Sequence, residues 1–152
     1  MTITVLGATT AFPWLPSLVV GVDFLPGSQD PANAYWHAMS DGVTGQKPAD
    51  AMALYLKYID EEIATCTQEG LARAVHAVED SPADGHKGFQ PWDGGAGVLG
   101  LPSWTHIVAD WAPSNESVAE AVEQAHYVLF QYEKTCPCQS ATQQEPANML
   151  PY

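Results

Sequence analysis

Apolar residues recur at helical spacing along most of the chain. Between Pro48 and about Thr67, the residues Met52, Leu54, Tyr55, Tyr58, Ile59 and Ile63 form the stripe of a core-facing helix. Gly70 is expected to break or kink it, after which Leu71, Val75 and Val78 continue as a third helix reaching Asp80. Val118, Val122, Ala125, Leu129 and Tyr132 mark a fifth, opened by Ser114 or Ser117, the latter in a Ser117-Val-Ala-Glu120 capping box. Two shorter helices are marked by their ends. Asp30-Pro31 reads as an N-cap followed by proline at the first helical position, opening a helix to about Ser40 that Gly42 stops. Pro102 opens a fourth, ended by Pro113. No stretch alternates with period two and no internal repeat is visible. The expected fold is all-α, a compact bundle of about five helices.

The intervening segments complete the division. Residues 1–29 hold prolines, glycines and short apolar runs and read as an irregular N-terminal arm. Residues 81–101 are dense in Gly, Pro and Asp and read as a long loop, a kind that is commonly functional. From 136 to 152 the chain turns polar, as a loosely held tail would. The helical domain is thus expected over 30–135.

Charge narrows the partners. Eighteen acidic against five basic residues leave a formal charge of −13. Such a surface repels polyphosphate and gains nothing from counterion release, so extended nucleic-acid binding is not expected. Carboxylates gathered around divalent cations would be partly neutralised. Met1 to Phe24 is apolar but lacks a basic leader and is broken by Pro13 and Pro16, so it reads neither as a signal peptide nor as a transmembrane segment. Three cysteines, two of them in Cys136-Pro-Cys138, do not describe a disulfide framework; free or adventitiously oxidised thiols are expected there, with metal binding by that pair the alternative.

The chemistry concentrates on histidine. Three of five histidines are followed four residues later by aspartate: His37–Asp41, His76–Asp80 and His106–Asp110. With nine aspartates in 152 residues, chance would supply roughly 0.3 such pairs. On a helix these positions share a face, so each pair can offer two ligands to one cation or let a carboxylate orient its imidazole. Taken singly, each pair also fits a surface contact worth a few tenths of a kcal/mol, and His37 beside Trp36 fits a half-buried helix residue. His86 adds a third element, because His76-x3-Asp80-x5-His86 brings two helix positions and a loop position together. Imidazole and carboxylate are the ligands zinc accepts in catalytic sites. His126, one step off the stripe of the fifth helix, reads as a core-edge residue.

His76-x3-Asp80-x5-His86 followed by His106-x3-Asp110 resembles the ligand order of the zinc-dependent phospholipase C enzymes and the related single-strand-specific zinc nucleases, over roughly residues 30–112. His37-Ala38-Met39 resembles the family's first histidine segment. The resemblance implies an all-α protein with clustered zinc ions. His86, His106 and Asp110 would form one site, His76 and Asp80 another with Asp80 bridging, and His37 would join through that bridge. The family also uses an N-terminal tryptophan amine and a further Asp and His where this chain has Met1 and no histidine between His37 and His76; only Asp41, Asp50 or Asp60 could stand in. Asp110 replaces the usual glutamate. Two zinc ions are therefore expected rather than three.

The implied activity is phosphodiester hydrolysis on a phospholipid head group, with Asp41 and Asp80 as catalytic carboxylates and Asp84 or Asp93 as weaker candidates for the base. Size and resemblance also suggest a bacterial toxin effector domain matched by an immunity protein. Two alternatives stand beside this reading: a zinc-dependent nuclease, which the scarcity of Lys and Arg disfavours, and a non-enzymatic helical interaction module.

Overall fold

The computed structural model describes residues 12–92 and 113–137. Among them four α-helices form: α1 (Leu15–Gly21), α2 (Pro48–Ala64), α3 (Gln68–Asp80) and α4 (Asn115–Thr135). Two 3-10 helices, Val22–Phe24 and Pro31–His37, complete the set. The fold is all-α; the extended backbone among the described residues is one parallel bridge between Ser40 and Pro91. The expected fourth helix, at 102–113, lies almost wholly outside the described residues.

α3 is the axis of the bundle and packs against α1, α2 and α4. Nine of its thirteen residues are buried, among them Leu71, Ala72, Ala74, Val75, Ala77 and Val78. The helix is buried nearly all round although it carries His76 and Glu79 among its buried residues, and its alanines let neighbouring helices approach closely. α2 contributes Ala51, Tyr55, Tyr58, Ile59 and Ile63, and α4 contributes Ala121, Ala125, Val128, Leu129 and Tyr132. These positions recur three to four apart, so α2 and α4 each bury one face. Met52 and Leu54, read as part of that stripe, fall on the outer face of α2 and are exposed, and so is His126 on α4.

Caps fix the helix ends. Thr67 accepts from Gly70 N at 3.0 Å and Ser114 from Ser117 N at 3.0 Å, each filling one of the unpaired donors of a first turn. Ser114, not Ser117, therefore caps α4. The break between α2 and α3 lies at Thr65–Thr67, where Cys66 adopts φ 52°, and not at Gly70. Gly70 sits inside the first turn of α3, where a Cβ would meet Glu62 O at 2.5 Å. It is glycine because two helices cross there.

Two segments are more structured than their composition implied. Within the expected arm, Phe12, Leu15 and Val19 are buried in the same core as α3, and Val22 is buried too. At the other end, Cys136 caps α4 and is joined by a disulfide to Cys66, 70 residues away. This corrects the expectation of unpaired thiols at that position; Cys138 lies outside the described residues. Cross-linking a loop of that length restricts the unfolded chain by about 4 kcal/mol in the loop-entropy picture.

Candidate metal centre

Three segments converge where α3 ends. α3 delivers His76 and Asp80 one turn apart on one face, so His76 Nε2 lies 3.2 Å from Asp80 Oδ2. The 3-10 helix Pro31–His37 delivers His37 at its last residue. Asp30 caps that helix by accepting from Ala32 N at 2.9 Å, and Ala38 ends it in the left-handed region at φ 54°. The resulting turn lays His37 against α3, its Nδ1 3.0 Å from Asp80 Oδ2 and 3.0 Å from His76 Nε2. The third contributor is Asp23, in the 3-10 helix after α1. Its Oδ1 stands 3.8 Å from His37 Nδ1 and 3.5 Å from His76 Nε2. Asp23, His37 and His76 form a group able to hold a metal ion, and Asp80 reaches both of its ring nitrogens.

The neighbouring contacts aim these side chains. A carbonyl oxygen can only accept, so His37 Nε2 carries the proton in its 3.1 Å bond to Ser28 O. Nδ1 is thereby turned toward Asp80 Oδ2 and His76 Nε2. Ser28, itself buried, donates to Asp23 O at 2.6 Å and so ties the loop to the Asp23 turn. His86 Nδ1 likewise donates to the His37 carbonyl. A ring nitrogen held by a backbone carbonyl, with the other left as acceptor, is the usual support of a metal-ligating histidine. Trp92 stacks on His37 with ring centres 5.9 Å apart and planes 12° from parallel. Its backbone N donates to Ser40 O at 2.7 Å, which pins the end of the described loop over the site.

Protonation follows from burial and proximity. Burial alone would discharge His76, yet Asp80, with help from Asp23 and Glu79, outweighs it and raises the pKa above the ordinary imidazole value. Burial works against the Asp80 carboxylate too, but His76 and the hydrogen bonds from both imidazoles hold it well below the usual range. Glu79 is pushed up to about 8 by burial and by the charge of Asp80, partly offset by His76. Its Oε2 has no hydrogen-bond partner among the described residues.

The residues expected to act together thus divide. His37, His76 and Asp80 meet, and His86 touches the backbone of His37. His106 and Asp110 lie outside the described residues. Asp41 does not approach the cluster through the helix expected to carry it, because that helix stops at His37. Its carboxylate instead accepts from Val43 N and Thr44 N, each at 3.0 Å, and from the Thr44 hydroxyl. The Thr44 bond holds its pKa below the ordinary value. Asp23 was missed in the sequence reading. It stands outside any periodic pattern, and its one visible signal is being the only charged residue before Asp30.

No family model matches this chain, and neither a curated protein nor a solved structure does. No helix of the described residues is long and apolar enough to cross a membrane.

Proposed function

We propose that this chain is a zinc-dependent phosphodiester hydrolase, with a phospholipid head group as its substrate. The observation that carries the reading is the group formed by Asp23 Oδ1, His37 Nδ1 and His76 Nε2, with Asp80 Oδ2 3.0 Å from His37 Nδ1 and 3.2 Å from His76 Nε2. The three atoms of that group lie 3.0, 3.5 and 3.8 Å from one another. A tetrahedron with ligand bonds of 2.0–2.1 Å has edges of about 3.3–3.4 Å. Protons can hold these atoms in pairs, as in the bonds to Asp80. A central cation satisfies all of them at once.

The degree of exposure assigns the roles. The side chains of His37 and His76 are 4% and 6% exposed and Asp80 is 14%, whereas Asp23 is 42%. The first three would hold the ion, and Asp23 is the ligand at the solvent edge that can yield its position or take a proton from water. Bound zinc would supply a Lewis acid that polarises a phosphoryl oxygen and makes water acidic enough to attack near neutral pH. Asp80 would bring a negative charge to the ion beside the two imidazoles, while Trp92 covers one face of His37. The phosphodiester class itself rests on the ligand order around His76 and His86.

A second reading has its own support. Were Asp80 to join Asp23, His37 and His76, four protein ligands would close a zinc shell, which is the arrangement of structural sites, and here it would clip the Asp23 turn onto α3. Zinc content of the dialysed protein, followed by assays on phosphatidylcholine and single-stranded DNA in parallel, separates the possibilities. Hydrolase action predicts about one or two zinc ions per chain and release of phosphocholine, with Asp23→Ala retaining the metal. Loss of metal and folding in Asp23→Ala without any hydrolysis would establish the structural clip instead. Cleavage of DNA alone would transfer the activity to the nuclease class, and a chain free of zinc would end both metal readings.

A further inference from the structure

A cleft of about 100 Å³ lies between α1 and α3, lined by Leu18, Gly21, Val22, Leu25 and Ala72, with Glu69 and Arg73. Both of its walls continue into the metal centre. On the α3 side, Ala72 and Arg73 precede His76 by one helical turn and share its face, which places them about 5–6 Å from it along the helix. On the other side, Val22 and Leu25 flank Asp23 in the chain. Both walls are thus adjacent in the chain to cluster residues, none of which lines the cleft itself.

Its chemistry is that of a place for hydrocarbon. From Phe12 to Val22 the chain has no charged residue, although the protein as a whole carries a formal −13. Val20 on α1 and Phe24 in the 3-10 helix that follows it are 43% and 83% exposed. Arg73 offers no unpaired cation to the cleft, because its guanidinium pairs with Glu62 at 3.2 Å.

We propose that this cleft binds the first carbons of an alkyl or acyl chain whose phosphorus-bearing head lies at the metal centre, so that the site selects amphiphiles over water-soluble phosphodiesters. The inference rests on the metal-centre reading for the head group and adds a tail site to it. Gly21 gives a clean way to fill the cleft. It is helical at φ −67°, and a Cβ there meets nothing within 4 Å, so Gly21→Leu introduces bulk without backbone conflict.

The test uses n-alkylphosphonates from methyl to octyl, whose carbon–phosphorus bond resists hydrolysis, titrated calorimetrically into zinc-loaded protein. Binding should tighten about fourfold for each of the first few methylenes and then level off as the chain outgrows the cleft. Gly21→Leu should keep the zinc content, the Tm and the affinity for methylphosphonate, yet erase the dependence on chain length. Leu18→Asn, which changes polarity in place of volume, should make that dependence shallower. Equal affinities across the series, or an unchanged slope in both variants, would overturn the proposal, as would a protein that takes up no zinc. A slope that Gly21→Leu abolishes, in a protein that hydrolyses no phosphodiester, would leave the tail site standing and remove the hydrolase reading. Hydrolysis with no slope would do the reverse.

Discussion

His37–Asp41 and His76–Asp80 have the same spacing and opposite outcomes. In the second, an unbroken α-helix runs through both residues, and their side chains meet at 3.2 Å. In the first, a 3-10 helix ends at His37, Ala38 turns left-handed, and Asp41 is carried to the surface. There it closes the turn Asp41-Gly42-Val43-Thr44 by accepting two backbone N–H bonds, the habit of aspartate before glycine. Four-residue spacing is thus a statement about contact only where the helix persists. His37 nevertheless reaches the cluster, by a tertiary route: its ring pairs with Asp80, 43 residues away, in place of its own i+4 partner.

That contrast can be broken at several strengths. Asp80→Asn should have the largest effect, since Asp80 is the common partner of both imidazoles. Zinc affinity is expected to fall on the order of 100-fold or more, with activity falling alongside it; isothermal titration showing full affinity would remove Asp80 from the ligand set. Glu79→Gln comes next. A carboxyl whose folded pKa is raised contributes stability that is fully present below its unfolded value and lost as pH rises through the folded one. For Glu79 that window runs from 4.5 to about 8. Metal-free wild type should therefore lose stability across it, at up to about 1.4 kcal/mol per pH unit, whereas the variant's melting temperature should be flatter; parallel profiles would show that Glu79 is not buried as a neutral acid. His76, with its raised pKa, loses stability in the same direction, and Asp80, with its lowered one, contributes stability that is lost on acidification.

Gly42→Ala acts on the loop side. Gly42 has φ 66°, and a Cβ there would meet Trp92 O at 1.9 Å, so the bridge that lays Trp92 over His37 cannot form unchanged. A loss of about 1–3 kcal/mol is expected in chemical denaturation, along with weaker zinc binding; an unaffected protein would show that the Trp92 cover is dispensable. Asp41→Ala should do least. Its stability cost should stay within about 1 kcal/mol, as for loss of a local cap, and kcat/KM should be unchanged. A tenfold fall in kcat/KM would return Asp41 to the site.

How much could be read in advance follows the same physics. α2, α3 and α4 announce themselves because their apolar residues recur over three or more turns. α1 does not, because its seven residues lie among prolines and glycines and show no polar face against which to judge a stripe. His37, His76 and Asp80 were legible as residue types at a telling spacing. Asp23 was not, since a 3-10 helix of three residues has no periodicity and its approach to α3 is set by the packing of α1. The Cys66–Cys136 pairing is hidden for a similar reason: a contact across 70 residues depends on where α4 ends relative to the α2–α3 corner.

The central claim is that His37, His76 and Asp80 hold one ion between them, with Asp23 at its solvent edge. Anomalous diffraction at the zinc edge, on crystals of the zinc-loaded protein, tests this most directly. The account predicts a peak about 2.0–2.2 Å from His37 Nδ1, His76 Nε2 and an Asp80 carboxylate oxygen. Fully occupied zinc elsewhere in the molecule, with these three side chains hydrogen-bonded only to one another, would contradict it.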